Sequence, residues 1–247
     1  MKRMAIQTLL VMCMIIIALG VSGCMNKKQD PEVIKDEMMA YLEKKYGEEF
    51  VPLSLSFSDF AYSYDRLYAY PKKGTEKDAF EVWGTRKDDG SYSMSDGYFA
   101  KYIRPEYETV MSGFVSEIYK DFKLYTDFNE GIMPDRLNKN TKIEEIYNKD
   151  ELFFSDTVIF VKESSAKGID DEESLRTIAE KMQAKKMVGS VRIYIVFDDK
   201  YESIGLETLK GLSPTEDKNY FPYYRKRIKV THKLEIKKYG EEAYSNG

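Results

Sequence analysis

Residues 191–197 read VRIYIVF, a strand pattern that is apolar on both faces apart from Arg192. A strand of this kind is buried on both sides, so we predict that it lies in the middle of a sheet. A further strand is predicted at 152–162, which is strongly apolar. Another is predicted at 227–238, where apolar and polar residues alternate strictly. A helix opened by Asp170 separates the first of these strands from residues 191–197.

The first half of the chain shows the same mixture of helix and strand. Asp30 and Pro31 suit the cap and first position of a helix, which is predicted over residues 31–46. Residues 50–94 read as antiparallel strands with an Asp-Gly turn, and Pro105 is predicted to start a second long helix before a strand at 122–128. The predicted fold class is therefore α+β, with antiparallel sheets and amphipathic helices packed on one face.

A short similarity bears on the domain organisation. Residues 122–129 (FKLYTDFN) resemble residues 191–198 (VRIYIVFD), and each stretch follows a long amphipathic helix. Either the chain contains two related strand–helix–strand halves, or two generic strands are alike by chance. The predicted divisions are a signal peptide at 1–23, a lipidated cysteine with a short tether at 24–30, an N-terminal α+β unit at 31–130, a polar linker at 131–150 and a C-terminal α+β unit at 151–240.

The start of the chain has the layout of a secretory signal. Lys2 and Arg3 precede an almost wholly apolar run that closes with VSGC at residues 21–24. That close resembles the bacterial lipobox. The resemblance implies cleavage before Cys24, a lipid on Cys24, and a body held on the extracytoplasmic face of the cell membrane. An uncleaved anchor helix is the alternative, and it also puts residues 25 onward outside that membrane.

The body itself carries a weaker resemblance. Residues 41–50, YLEKKYGEEF, resemble the corresponding stretch of uncharacterised lipoproteins from low-GC Gram-positive bacteria. The resemblance implies no active site and no functional residue beyond Cys24.

Several chemistries are excluded by the residue inventory. His232 is the one histidine and is predicted to lie at the core edge, while Cys13 leaves with the leader and Cys24 is used for the lipid. No catalytic residue, metal ligand or cofactor is predicted, because triads need a histidine base and zinc sites need several His or Cys ligands. Acidic pairs remain, of which Asp198-Asp199 could form a loop site at the end of a strand. The net charge of −4 argues against nucleic acid as a partner.

Three sets of side chains are candidate binding surfaces. The first is aromatic and is either sheet packing or a face for sugar or protein: Phe57, Phe60, Tyr62, Tyr64, Tyr68 and Tyr70. The second is predicted to lie in a loop and to form a binding surface: Tyr220, Phe221, Tyr223 and Tyr224. The third is a basic row that faces either solvent or anionic lipid and wall phosphates: Arg227, Lys229, Lys233 and Lys237.

The predicted function is that of a membrane-anchored extracytoplasmic lipoprotein, a non-catalytic binding or accessory module at the cell envelope. Its partners would be the membrane, through the lipid on Cys24, and an envelope protein or wall component. A carboxylate-dependent cell-wall hydrolase and a solute-binding component of an uptake system are the two alternatives.

Overall fold

Two β-sheets with helices packed against them form the fold, which confirms the predicted α+β class. The computed structural model describes residues 30–87, 89, 91–128, 131–211, 218–222 and 226–238. Backbone contacts divide the chain between Glu37 and Met38, and both sheets belong to the later unit. The divisions predicted around residues 131–150 stay a prediction.

The first sheet is the antiparallel meander that the sequence predicts. Its strands pair in chain order and are β1 (Phe50–Ser56), β2 (Asp65–Pro71), β3 (Phe80–Arg86) and β4 (Tyr92–Asp96). Leu67 and Ala69 are fully buried, whereas Tyr68 between them is half-exposed. Side chains alternate along a strand, so this sheet has one core face and one outer face.

The first helix, α1 (Pro31–Tyr46), has the predicted boundaries because both of its ends are fixed locally. The Asp30 carboxylate accepts the N–H of Glu32 at 3.0 Å. At the other end, Gly47 adopts a left-handed conformation (φ 72°) and donates its N–H to the Glu43 carbonyl. An aspartate cap and a left-handed glycine are the usual start and stop of a helix.

The second helix, α2 (Tyr98–Ser116), begins about two turns before Pro105, so the prediction that Pro105 starts it was wrong. Asp96 caps the true start by accepting the N–H of Tyr98 at 2.9 Å. Buried Phe99 and Ile103 hold the first turns against the core, and this packing outweighs the hydrogen bond that Pro105 cannot make. The remaining helices are α3 (Ile143–Ile146), α4 (Glu163–Ala166), α5 (Asp171–Ala184) and α6 (Leu206–Gly211).

The second sheet has five strands in the order β5-β6-β7-β8-β9. These are β5 (Phe122–Phe128), β6 (Ser155–Lys162), β7 (Gly189–Val196), β8 (Lys226–Val230) and β9 (Ile236–Lys238). β7 lies in the middle, as predicted. β6 and β7 are parallel, because α5 carries the chain back between them, and the other strand pairs are antiparallel, so the sheets are mostly antiparallel as predicted. The two similar stretches, β5 and β7, lie in this same sheet.

Residues 227–238 form a hairpin and not the single strand that their alternation predicts. Thr231 donates its N–H to the Glu235 carbonyl at 2.8 Å, and its hydroxyl accepts the N–H groups of Lys233 and Glu235. Leu234 takes a left-handed conformation (φ 58°) that a strand cannot contain. His232 therefore sits half-buried in a turn and not on an inward strand position.

Both faces of the second sheet are covered. Tyr107 of α2 hydrogen-bonds to Ser155 at 2.6 Å, and α5 packs against β7 and β8. The opposite face carries a separate buried cluster in which turn and loop residues cover the strands: Val158, Phe160, Tyr194, Val196, Tyr201, Ile204 and Phe221.

Candidate functional site

A cleft of about 530 Å³ lies where the first sheet, the start of α2 and the end of β5 meet. Tyr68 and Glu81 line it from β2 and β3, and Lys101 and Arg104 line it from α2. Asp127 and the segment around Met133 also line it, together with apolar side chains that include Phe80 and Phe128. Small-molecule sites in proteins usually have a volume of this order and combine an apolar lining with a few polar groups.

The cations of the cleft come from one face of α2, because Lys101 and Arg104 are three residues apart. A guanidinium nitrogen of Arg104, Nη2, lies 3.2 Å from an Asp127 carboxylate oxygen. The Nε of Arg104 is buried and has no hydrogen-bond partner among the described residues. A buried donor without a partner is costly, so a small shift of the Arg104 side chain that exposed this nitrogen to an acceptor would be stabilising.

The opposite wall of the cleft carries a carboxylate whose orientation is fixed by its neighbours. Glu81 accepts a hydrogen bond from the Tyr68 hydroxyl through one oxygen. Its other oxygen accepts the indole N–H of Trp83 at 2.7 Å. Glu81 thereby joins the cleft to the outer face of the first sheet.

That outer face is aromatic. Trp83 stacks on Tyr64 with ring centroids 4.2 Å apart, and Tyr62 meets Tyr64 edge-on. The Arg66 guanidinium lies 4.2 Å above the Tyr62 ring. The first aromatic set is divided between the two predicted alternatives: Phe57, Phe60 and Tyr62 are exposed, and the other three are half-buried. Binding of sugar or protein by this face stays a prediction.

The second aromatic set is only partly a surface. Phe221 is 3% exposed and packs against Tyr194, so its inclusion in a binding surface was wrong. It covers strands of the second sheet that would otherwise expose apolar side chains. Tyr220 is half-buried beside it, and Tyr223 and Tyr224 lie outside the described residues.

Two members of the basic row, Arg227 and Lys229, lie half-buried on a polar part of the second sheet. Arg227 bonds to Ser190 at 3.1 Å, and Arg192 forms an ion pair with Asp156. Lys233 belongs to the turn between β8 and β9, and Lys237 lies in β9. The four basic residues therefore do not lie along one strand: two belong to β8, one to the turn and one to β9.

Two of the acidic pairs have structural roles. Asp198 caps the N–H of Ser164 at 3.0 Å, and Asp199 pairs with Lys200. Asp170 caps α5, and Asp171 accepts a hydrogen bond from the Tyr119 hydroxyl. In the described ranges no group of three His, Cys, Asp or Glu side chains is placed to bind a metal ion.

A second polar cluster is deeply buried and has all of its bonds made. Asp96 is fully buried, and its carboxylate accepts from the hydroxyls of Tyr41 and Tyr46, from the Lys45 ammonium and from the Tyr98 N–H. Burial, followed by the charge of Asp96, raises the pKa values of Tyr41 and Tyr46 far above the ordinary tyrosine range. Four donors saturate the carboxylate, so this cluster ties α1, β4 and α2 together and offers no free acceptor to a substrate.

Cys24 and the predicted leader lie outside the described residues. Among the helices that the structure does describe, none has the length and apolar character of a bilayer span.

No protein-family profile and no curated protein matches the chain. One solved structure is similar, a DUF5037 family protein from Ruminococcus gnavus ATCC 29149, at 17% identity over 81% of this chain and 93% of that chain. Its TM-score of 0.42 is too low to transfer a fold or a function.

The cleft was not predicted from the sequence, although its helical residues gave a usable signal. Lys101 and Arg104 share a helix face only once α2 is known to begin at Tyr98, and Pro105 hid that start. Glu81 and Asp127 belong to different sheets, so nothing in their spacing links them.

Proposed function

We propose that this protein is a membrane-anchored extracytoplasmic lipoprotein that acts as a non-catalytic binding module at the cell envelope. Its ligand binds in the cleft between the first sheet and α2. The observation that carries the binding proposal is the preformed cleft. It is lined by Arg104, whose buried Nε has no hydrogen-bond partner within the described part of the chain.

The anchoring part of the proposal is supported by the order of charge, apolar run and VSGC at residues 2–24. A diacylglycerol on Cys24 would supply two chains, and stable attachment requires more than a single acyl chain. The test is labelling of growing cells with an alkyne fatty acid. Label on the wild-type protein and its loss in Cys24→Ala are expected, and an equal signal in both would reject lipidation.

The binding part is supported by the chemistry that converges on the cleft. Arg104 and Lys101 provide donors, Glu81 and Asp127 provide acceptors, and Tyr68 provides an aromatic edge. Glu81 and Asp127 already hold partners of their own, so they are positioned for hydrogen bonding more than for proton transfer. This arrangement favours recognition over the carboxylate-dependent hydrolysis that is the alternative.

The test of the cleft is site-specific photo-crosslinking on intact cells. A benzophenone amino acid replaces Lys101 in the cleft or, as control, the exposed Lys149. An envelope component captured at position 101 only, and lost when Arg104→Met is added, is the expected result. Identical products from both positions, or none at 101, would refute binding in the cleft.

A solute-binding role in uptake is the second candidate, and the volume of the cleft favours it. Space of about 530 Å³ suits a small molecule better than a polymer chain. Native mass spectrometry of the purified protein distinguishes the two functions. A small solute retained by the wild type and lost in Arg104→Met would support uptake, whereas crosslinked wall fragments would support the envelope module.

A further inference from the structure

The loop between β1 and β2, residues 57–64, presents the most accessible aromatic side chain in the described part of the chain. We call this segment the tip loop. Phe60 is fully exposed, and Phe57 and Tyr62 are each more than 40% exposed. Large apolar side chains that cluster in the open usually mark a surface that meets a membrane or a partner.

Hydrogen bonds hold the tip loop in one conformation. The Asp59 carboxylate accepts the N–H groups of Ala61 and Tyr62 at 2.8 and 3.0 Å, and the Asp59 N–H donates to the Tyr62 carbonyl. At its base, Ser58 donates its N–H to the buried Asp65 carboxylate. The loop therefore displays Phe60 without needing to be ordered on binding, which reduces the entropic cost of association.

The unit that contains both sheets begins at Met38, and Met38 lies at the end of the first sheet that carries the tip loop. Tyr46 packs against Phe50 at the end of the first sheet that is opposite the tip loop, with ring centroids 6.2 Å apart. Met38 lies at the other end, where its side chain fills the space that a Cβ on Gly84 would need. Gly84 pairs with Asp65, which directly follows the tip loop. Residues 38–46 thus run away from the tip-loop end of the sheet as the chain proceeds.

Cys24 precedes Met38 by fourteen residues. Fourteen extended residues would span about 50 Å, and the reach is shorter here because residues from Pro31 onward are helical and rise only about 1.5 Å each. If Cys24 carries the lipid, as in the proposed function on which this step rests, the bilayer lies within that reach of Met38. A short tether keeps the loop at a high effective concentration near the membrane surface.

We propose that the tip loop inserts Phe60 into the boundary between headgroups and acyl chains of the membrane that anchors the protein. Aromatic rings flanked by cations suit this boundary, and Arg66 stacks on Tyr62 at the base of the loop. The occupant of this surface is the bilayer and not a protein. Burial of one phenylalanine ring favours the inserted state by about ten-fold or more.

Bromolipid quenching of tryptophan emission tests the proposal on the full chain purified from membranes. The protein is reconstituted into vesicles of phosphatidylcholine and phosphatidylglycerol with brominated acyl chains. Phe60→Trp is compared with the wild type, whose one tryptophan is Trp83, and with Leu152→Trp. Leu152 is the matched control because it is 79% exposed and lies just before β6.

The expected result is that Phe60→Trp adds blue-shifted emission that bromolipid quenches, whereas Leu152→Trp adds emission that it does not. If the protein floats with the vesicles but bromolipid quenches the tryptophans at 60 and 152 equally, insertion is overturned, whereas the lipid anchor is still supported. Quenching at 60 without fatty-acid label on Cys24 would support the tip loop and reject the anchor. A protein that does not float at all would reject both, and capture by a protein partner in place of quenching would also overturn insertion.

Discussion

The buried cluster around Asp96 allows a quantitative prediction about stability. The side chains of Asp96 and Lys45 are 0% and 7% exposed, and the Lys45 Nζ lies 2.7 Å from the carboxylate. Asp96→Asn removes the charge that faces this ammonium and leaves it with Tyr41 and the more exposed Asp135. Breaking a buried pair by changing one partner costs about 3–5 kcal/mol.

That loss is a large share of a typical unfolding free energy of about 5–15 kcal/mol. For a chain of this size it corresponds to a decrease of about 6–20 °C in the unfolding midpoint. Urea titration followed by circular dichroism measures the loss, and an unchanged slope would show that stability alone has changed. Lys45→Met added to Asp96→Asn should recover part of the loss, because no buried charge is then left without its counterpart and Asp135, which loses Lys45, is exposed to water.

The exposed pair of Lys72 and Glu49 is the matched control, since both side chains are about two-thirds exposed. Glu49→Gln is expected to leave the midpoint unchanged, because water screens such a pair. A loss below about 1 kcal/mol for Asp96→Asn would put the buried pair in the same class as surface pairs. The cluster around Asp96 would then not be what ties α1 to β4 and α2.

Three further predictions concern buried tyrosines, a helix cap and a close approach of two strands. Burial raises the pKa of Tyr201 to about 12 and those of Tyr41 and Tyr46 further. Unfolded tyrosines ionise near pH 10, so the free energy of unfolding should fall as pH rises from about 10 to 12, and a flat urea midpoint over that range would contradict this. Asp170→Ala removes the acceptor for the N–H groups of Glu172 and Glu173 and should lower the thermal midpoint by a few degrees, whereas Asp170→Ser should keep it. Gly189→Ala places a Cβ 2.6 Å from the Ser155 carbonyl oxygen of the paired strand and should cost about 1–3 kcal/mol, and a neutral effect in the urea titration would disprove that close approach.

The anchor remains a sequence-based proposal, and the tip loop gives it a structural consequence. A lipid alone would let the body take any orientation within reach of the tether. Insertion of Phe60 would restrict that freedom, because the membrane would then hold the protein at two points. The cleft and the tip loop share no lining residue, so the proposed ligand binding and the proposed membrane contact can be tested with different variants, Arg104→Met and Phe60→Ser.

Local physics let the sequence determine the helix at 31–46, the meander at 50–94 and the central position of β7. Each of these depends on a cap, a turn or a pattern of burial contained in a few neighbouring residues. The inventory of one histidine and two cysteines likewise argued, without any structure, against a zinc site built from several His or Cys ligands. Where a local signal was misleading, as at Pro105 and in the alternation of residues 227–238, tertiary packing or a turn outweighed it.

Only the tertiary structure decided which surfaces the side chains share. The burial of Phe221, the exposure of Phe60 and the saturation of Asp96 depend on elements that are distant in sequence. The cleft joins residues from Tyr68 to Met133 across both sheets and α2, and no spacing along the chain encodes that meeting. Periodicity tells which side of an element is apolar, but the contact between two elements is set by the packing of the whole chain.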